Sequence, residues 1–343
     1  MALAPDKTIV LLDDFEHLRK RPTMYVGSVE LTEERVSIIK NKRLISINRQ
    51  ISVGFYKLMN EILDNAFDEA KRMNGSMKEI SIAFNTKTNE VTVKDTGDGF
   101  LNPDDINIKS GVSNVETAMS MMKAGSNFSN ENIEESLLGT NGVGAAVVNM
   151  LSSKFKIITI NKNWYYEQEW DEFVVKKKVS RKKKRGEKLG TTITFIASKD
   201  VFKKAKWDID YVTSLMKMKK VLQENDPILK KLKFTCTIND KEIDLSSDFI
   251  PETAVRIDFK YGFLILLPHI WRDHYPNEFN YGTASTSFVN SALCTGMHER
   301  IVDEWISEIF DYKYAYRYVD KFFVLNLPPK YVSFGDQNKT LHR

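Results

Sequence analysis

Glu61, Asn65 and Asp68 stand at i, i+4 and i+7 in the stretch Glu61-Ile-Leu-Asp-Asn65-Ala-Phe-Asp68-Glu69-Ala. In a helix these positions share one side, and two carboxylates and an amide stacked there are hard oxygen ligands for a divalent cation or a water. A second constellation follows in Asp95-Thr-Gly97-Asp98-Gly99-Phe100. It joins a carboxylate at a strand end to a backbone without Cβ atoms, which a flat ligand can approach closely. A third, Leu138-Gly139-Thr-Asn141-Gly142-Val143-Gly144-Ala145, sets glycines before an apolar helix. Free N–H groups and the positive end of the helix dipole at such a place cradle phosphates. This loop lacks the Gly-Lys-Ser/Thr ending of a Walker A sequence, and a polar segment rather than a strand precedes it, unlike a dinucleotide fingerprint. Taken singly, the first two groups also describe a solvated helix face and a plain turn.

The elements that must hold these residues are readable from periodicity. Phe55, Leu58, Met59, Ile62, Ala66 and Ala70 fall on one side of a helix, the side opposite Glu61, Asn65 and Asp68. Lys78 to Val93 alternates as a hairpin, with Ile80, Ile82 and Phe84 before a turn at Asn85 to Asn89 and Val91 and Val93 after it, and its second strand runs into Asp95. Asn107 to Asn132 is polar, with one helical piece at Val115 to Lys123, and reads as a lid. The helix after the glycine loop covers Ala146 to Leu151.

Before this region, Phe15 onward reads as a helix that Pro22 ends with an extended exit, and Glu30 to Arg49 as an excursion or hairpin. After it come strands at Lys154 to Ile160, Trp164 to Glu169, Phe173 to Val179 and Gly190 to Phe195, a helix at Trp207 to Glu224, and a strand at Lys233 to Ile238 with the hairpin pair Asn239-Asp240. From about Leu245 a smaller α/β unit follows: strands Val255 to Lys260, Gly262 to Leu267, Thr286 to Asn290 and Lys321 to Leu327, and a helix His298 to Phe310.

At 343 residues the chain is too long for one ordinary core, so two domains are expected. A net charge of +4 permits an acidic partner without demanding one. Cys236 and Cys294 lack metal-type spacing, which argues against a zinc site or disulfide framework and for a reducing cytoplasm. The start carries Asp6, Asp13 and Asp14 and no secretory pattern, and the longest apolar run, Phe263 to Leu267, is far too short for a bilayer, so no membrane partner is expected. The basic run Lys176 to Lys178 and Arg181 to Arg185 reads either as a solvated hairpin tip or as a phosphate contact to DNA. Asp208-Ile-Asp210 reads as a surface feature.

Glu-x-x-x-Asn-x-x-Asp-Glu, then Asp-x-Gly-x-Gly, then Gly-x-x-Gly-x-Gly, then Gly190-Thr191 on a strand, is the order of motifs in the Bergerat-fold (GHKL) ATPases. The chain resembles in particular the ATPase region of type IIA DNA topoisomerases. Arg19-Lys-Arg-Pro22-Thr-Met-Tyr25-Val-Gly27, Gly125-Ser126-Asn127-Phe128, Ser287-Phe-Val-Asn290 with Gly296-Met-His298, and Gln337-Asn338-Lys339 carry that choice, and the mixture of eukaryotic and gyrase-like features resembles a large-phage enzyme. Three positions depart from the pattern: Asp98 where a basic residue is usual, so the salt bridge beside Glu69 is altered; Asn338 for Thr; and a shortened Gly296-Met-His298, with His298 read as a satisfied turn histidine.

The resemblance implies an α+β chain: a GHKL α/β sandwich over residues 1–246, with an N-terminal arm, then a transducer domain of ribosomal-S5-like fold over 247–343. It implies ATP and Mg²⁺ as cofactors, Glu61 as general base and Asn65 as Mg²⁺ ligand. Asp95 would accept the adenine amino hydrogen beside Thr191, with Gly97 and Gly99 leaving room for the purine. Gly139 and the backbone of Asn141, Gly142, Val143, Gly144 and Ala145 would hold the triphosphate, Ser126 and Asn127 the sugar or phosphates, and Gln337 and Lys339 the γ-phosphate. The implied partners are a second copy on ATP binding, with the segment before Tyr25 reaching across to it, double-stranded DNA, and the DNA-cleavage subunits or C-terminal portion of the same enzyme. This chain by itself is expected not to cleave DNA. The alternatives are a mismatch-repair or chaperone ATPase of the same fold, and a nucleotide-gated DNA clamp with little turnover.

Overall fold

The computed structural model describes residues 11–122, 124, 143–268, 284–290, 292–309, 311, 319–327 and 340–341. The chain opens with α1 (Asp14–Lys20), capped by a reciprocal box in which Asp13 accepts from the Glu16 N–H at 2.8 Å, and with the single turn α2 (Thr23–Val26). Pro22 ends α1, but no extended exit follows. Arg21 absorbs the break at φ −133°, ψ 51°, and Pro22, at φ −60°, ψ −31°, becomes the cap of α2. The polar excursion is a hairpin, β1 (Thr32–Lys40) and β2 (Arg43–Ile51), turned by Asn41 and Lys42, both at positive φ.

α3 (Val53–Arg72) is the longest helix described. Ser52 caps it, accepting from the Phe55 N–H at 3.3 Å. Phe55, Leu58, Met59, Ile62, Ala66 and Ala70 are each at most 5% exposed, so the predicted apolar stripe is the buried one. At about 1.5–3 kcal/mol per large apolar side chain, that stripe fixes which face α3 turns to solvent. Gly54 lets α2 close on the start of α3: a Cβ there would lie 2.8 Å from the Val26 side chain.

The first sheet has eight strands: β3 (Glu79–Asn85), β4 (Glu90–Asp95), β5 (Ser152–Ile160), β6 (Trp164–Asp171), β7 (Val174–Lys183), β8 (Gly190–Ala197), β9 (Lys233–Ile238) and β10 (Lys241–Glu242). Their order is β10-β9-β3-β4-β8-β5-β6-β7, antiparallel except for β3 beside β9. One face alternates buried side chains, among them Ile80, Ile82, Phe84, Val91, Val93, Phe155, Ile157, Phe195, Phe234 and Cys236. The connections supply α4 (Asn114–Ser120), α5 (Gly144–Met150), the short α6 (Lys199–Phe202) and α7 (Ile209–Asn225). α3 is tied to α7 by Lys219 Nζ on Asp64 Oδ1 at 2.6 Å, with both side chains at most 4% exposed, and Lys71 reaches Asp226 at 3.3 Å just beyond α7. Asp208 is not a loose surface group: it caps α7, accepting from the Tyr211 N–H at 3.0 Å.

The second sheet holds β11 (Val255–Phe259), β12 (Gly262–Pro268), β13 (Ser285–Val289), β14 (Ala292–Gly296), β15 (Val319–Leu325) and β16 (Thr340–Leu341), in the order β11-β12-β15-β13-β14-β16. α8 (Met297–Ile309) packs Val302 and Ile306 onto Leu264 and Phe323. One apolar cluster runs from the helices of the first sheet through Leu245 and Phe249 to Phe263, Phe288 and Phe322 of the second. The described residues therefore form the α+β arrangement expected, the β1–β2 hairpin followed by two larger sheets in succession. No helix among the described residues is long and apolar enough to cross a membrane.

Candidate active site

Asp95 continues the inward-facing alternation of Val91 and Val93, so a carboxylate occupies a position that would ordinarily take an apolar side chain. It is 8% exposed. Two backbone N–H groups reach the same oxygen: Gly97 donates to Oδ1 at 2.8 Å and Thr191 at 3.1 Å. Burial outweighs them and, with the charge of Glu69 nearby, pushes the carboxyl up to about 6. Both donors spend themselves on Oδ1, which leaves Oδ2 as an acceptor for a ligand N–H. β8 closes against this point: Gly190, at φ +135°, has no room for a Cβ because the Asp95 carbonyl oxygen occupies that space.

The two glycines after Asp95 are constrained by the protein itself. A Cβ on Gly97 would stand 2.9 Å from Asp95 Oδ1 and 3.2 Å from Glu69 Cγ. One on Gly99, at φ +71°, would stand 2.7 Å from the Ile160 carbonyl of β5. Thr159 holds the same corner, accepting from the Phe100 N–H at 2.8 Å. The sequence motif thus serves close packing of the loop on α3 and β5, whatever room it also leaves for a base.

At the other end of α3, the glycine loop meets Glu61. A Cβ at Gly144 would collide with Glu61 Oε2, so the start of α5 lies directly on that carboxylate. Glu61 Oε1 is held from the other side by Lys57 Nζ at 3.0 Å, one turn earlier on α3. Lys57 was not singled out by sequence, although its i, i+4 spacing from Glu61 was visible. Glu61 and Asn65 are half-buried, whereas Asp68 is buried at 7% exposure. The acidic column therefore splits: its first two members border the loop side, and the third belongs to the interior. Glu69, adjoining Gly97, and Glu61, adjoining Gly144, are eight residues apart, which sets the two ends of the groove about 12 Å apart along the helix axis. A flat-ligand end with a buried acceptor and a phosphate end with a carboxylate are thereby held by one rigid element. Asn65 stands between them, and its amide oxygen is a hard donor of the kind that Mg²⁺ takes together with phosphate oxygens and waters.

The altered position Asp98 has its compensation in sequence-local form: Glu69 pairs with Arg72, Nε to Oε2 at 2.7 Å and Nη2 to Oε1 at 2.5 Å. The described part of the predicted lid is anchored. Val115 and Met119 are buried, Asn149 of α5 donates to the Met119 carbonyl at 2.9 Å, and Gln168 donates to Glu116 at 2.7 Å. Lys123, Ser126, Asn127, Gly139, Asn141, Gly142, Gln337 and Lys339 lie outside the described residues. Val143 caps α5, and Gly144 and Ala145 form its first turn rather than the end of the loop before it. His298 is not in a turn: it sits in the first turn of α8, buried, with Nε2 2.9 Å from Ser287 Oγ and its ring stacked on Phe323. Burial lowers it to about 4. The segment before Tyr25 docks on its own chain from α1 onward, with Phe15 stacked on Phe173 at 4.6 Å and Arg19 on Glu172 at 2.7 Å.

Comparison with known proteins agrees with this geometry. Residues 50–200 match the model of the histidine kinase-, DNA gyrase B- and HSP90-like ATPase family. The B subunit of DNA topoisomerase 4 from Enterococcus faecalis is 29% identical over 236 residues, 68% of this chain and 29% of that protein. Its counterpart from Staphylococcus aureus is 31% identical over 236 residues, 68% of this chain and 30% of that protein. The B subunit of DNA gyrase from Borrelia hermsii is 29% identical over 209 residues, 61% of this chain and 28% of that protein. The chain thus spans under a third of the length of these curated relatives. Among solved structures, the ATPase region of Saccharomyces cerevisiae topoisomerase II superposes with a TM-score of 0.76 at 22% identity, covering 99% of this chain and 91% of that one. The ATPase and transducer domains of DNA topoisomerase II from Balamuthia mandrillaris give 0.73 at 20% identity, with 99% and 90% covered. Residues 50–200 thus match the histidine kinase-, DNA gyrase B- and HSP90-like ATPase family, and the chain has the fold of topoisomerase II ATPase regions.

Proposed function

We propose that this chain is the ATP-hydrolysing gate of a type II DNA topoisomerase. The observation that carries the reading is the spacing along α3, with buried Asp95 and Gly97 at the Glu69 end and Gly144 against Glu61 at the other, which suits a nucleoside triphosphate laid along the helix. Asp95 Oδ2 accepts the adenine amino hydrogen, and the N–H groups at the start of α5 receive the phosphates. Glu61, held by Lys57, orients water for in-line attack on the γ-phosphorus and takes its proton, while the bond from that phosphorus to the β–γ bridging oxygen breaks and ADP leaves. Asn65 would hold Mg²⁺ through its amide oxygen, and the ion would supply neutralisation of charge on the phosphate oxygens.

The division of labour follows the two sheets. Residues 1–246 are the ATPase domain, and 247–343 the transducer, whose Gln337 and Lys339 contact the γ-phosphate and so report whether it is present. Ser126 and Asn127 touch the sugar or phosphates. ATP closes two copies into a dimer around a segment of double-stranded DNA in the cytoplasm, while DNA cleavage falls to other subunits or to a C-terminal portion of the enzyme. Sedimentation with Mg²⁺, with and without a non-hydrolysable ATP analogue, tests the gate. A monomer that doubles in mass only with nucleotide is expected; an unchanged mass removes dimer closure from the reading.

A further inference from the structure

The basic run that the sequence left between two readings is not a hairpin tip. It forms most of β7, the outer edge strand of the eight-stranded sheet, and continues into the turn after it. Its first half is largely neutralised: Lys176 pairs with Asp171 at 2.9 Å, Lys177 with Glu167 at 2.9 Å and Arg181 with Asp104 at 3.3 Å, while Lys178 is exposed. Its second half is different. Lys182, Lys183 and Arg185 are exposed and Lys184 is half-exposed, and exposed Lys162 in the β5–β6 turn and Lys188 extend the patch, with Glu187 as an offsetting carboxylate. Two cations of the run, one from each half, are seated on rings of β6: the Arg181 guanidinium 4.6 Å from the Trp164 centroid, and Lys182 Nζ 3.9 Å from that of Tyr165.

We propose that Lys182 to Arg185, with Lys162 and Lys188, bind the phosphate backbone of double-stranded DNA. The inference rests on the gate reading above and names the surface that reading leaves open. Lysines on an edge strand also deter edge-to-edge pairing, but that purpose is already met by the paired lysines of the first half. The covered rings decide between duplex and single strand. Trp164 and Tyr165 each carry a cation over one face, which favours phosphate contact over base stacking.

The test is fluorescence anisotropy of a labelled duplex against salt, using the full chain, the variant K182Q/K183Q/K184Q, and a control, K230Q/K231Q/K241Q, that removes equal charge near the opposite edge of the sheet. The variant is expected to lower the slope of log affinity against log salt by about 2 to 3, at about 0.9 per phosphate contact, while the control keeps the wild-type slope. An unchanged slope in the variant, an equal loss in the control, or tighter binding of a single strand than of the duplex overturns the proposal. ATP turnover without DNA, measured on the same preparations, separates the two readings: the variant should turn over as wild type does. A wild-type chain that does not hydrolyse ATP defeats the gate reading without touching the slope result.

Discussion

The α-carbon of Gly144 lies against the carboxylate of Glu61, so closely that a single methyl group has no place between them. The proposed phosphate-binding helix start and the proposed general base are therefore set by one contact, with Lys57 closing the other side of the carboxylate at 3.0 Å.

Gly144→Ala should displace Glu61 while sparing Asp95 at the far end of α3. Because a misplacement of about 1 Å can cost about a hundredfold in rate, turnover is expected to fall at least tenfold, with affinity for a non-hydrolysable analogue within a few-fold of wild type. Glu61→Ala should lose about 10²- to 10⁴-fold in turnover and still bind the analogue. Steady-state ATPase assays paired with calorimetric titration check both; unchanged turnover in Glu61→Ala would show that the base is another group.

Asp95→Asn keeps an oxygen for the Gly97 and Thr191 N–H groups but turns an NH₂ toward the ligand, donor facing donor. Nucleotide affinity is expected to fall about a hundredfold or more. The same change removes a carboxylate that folding holds at about 6 instead of 3.8, so the empty protein should gain up to about 3 kcal/mol at pH 7. Thermal melting beside nucleotide titration reads both; loss of stability together with retained binding would contradict the assignment.

Two buried groups oppose each other in acid. The Asp95 carboxyl is raised, so the folded chain binds its proton first and stability from this group grows as pH falls from about 6 toward 3.8. His298 is lowered from 6.5 to about 4, so the unfolded chain binds that proton first and stability falls over the same window. Each effect is about 3 kcal/mol at its limit. Asp95→Asn should therefore lose more stability than wild type between pH 6.5 and 4, and His298→Gln, which can still reach Ser287, should lose less. Urea midpoints across that range decide it.

Lys219→Met leaves Asp64 charged and buried, at an expected cost of about 3–5 kcal/mol. Adding Asp64→Leu should restore most of it, since removing both charges also removes the desolvation penalty. A double variant no more stable than the single one would mean that the pair contributes net stability.

Much of the candidate site was legible because its chemistry is local. The apolar stripe of α3 turned Glu61 and Asn65 outward, and the alternation of β4 carried Asp95 into the core at the sheet end. The Asn239-Asp240 pair marked its hairpin through two positive φ values. What sequence missed depended on distant neighbours. Pro22 signals a helix stop but not whether a second turn follows, and the helix predicted from Trp207 did not by itself show that Asp208 is its cap. β14 is too short and mixed to announce itself, and becomes a strand because β13 pairs with it.

Sequence by itself determined the motif order, the helix that carries Glu61, the strand that ends at Asp95, and the positive run at 176–185, because periodicity and residue type act within a few positions. Tertiary structure alone decided that Gly99 answers to β5, that Asp64 needs Lys219, 155 residues away, that Asp98 leaves Glu69 to Arg72, and that the basic run is a sheet edge half neutralised by its neighbours. Those facts turn on which groups come within a few ångströms after the chain closes, and desolvation and Coulomb energy at that range depend on the fold rather than on sequence separation.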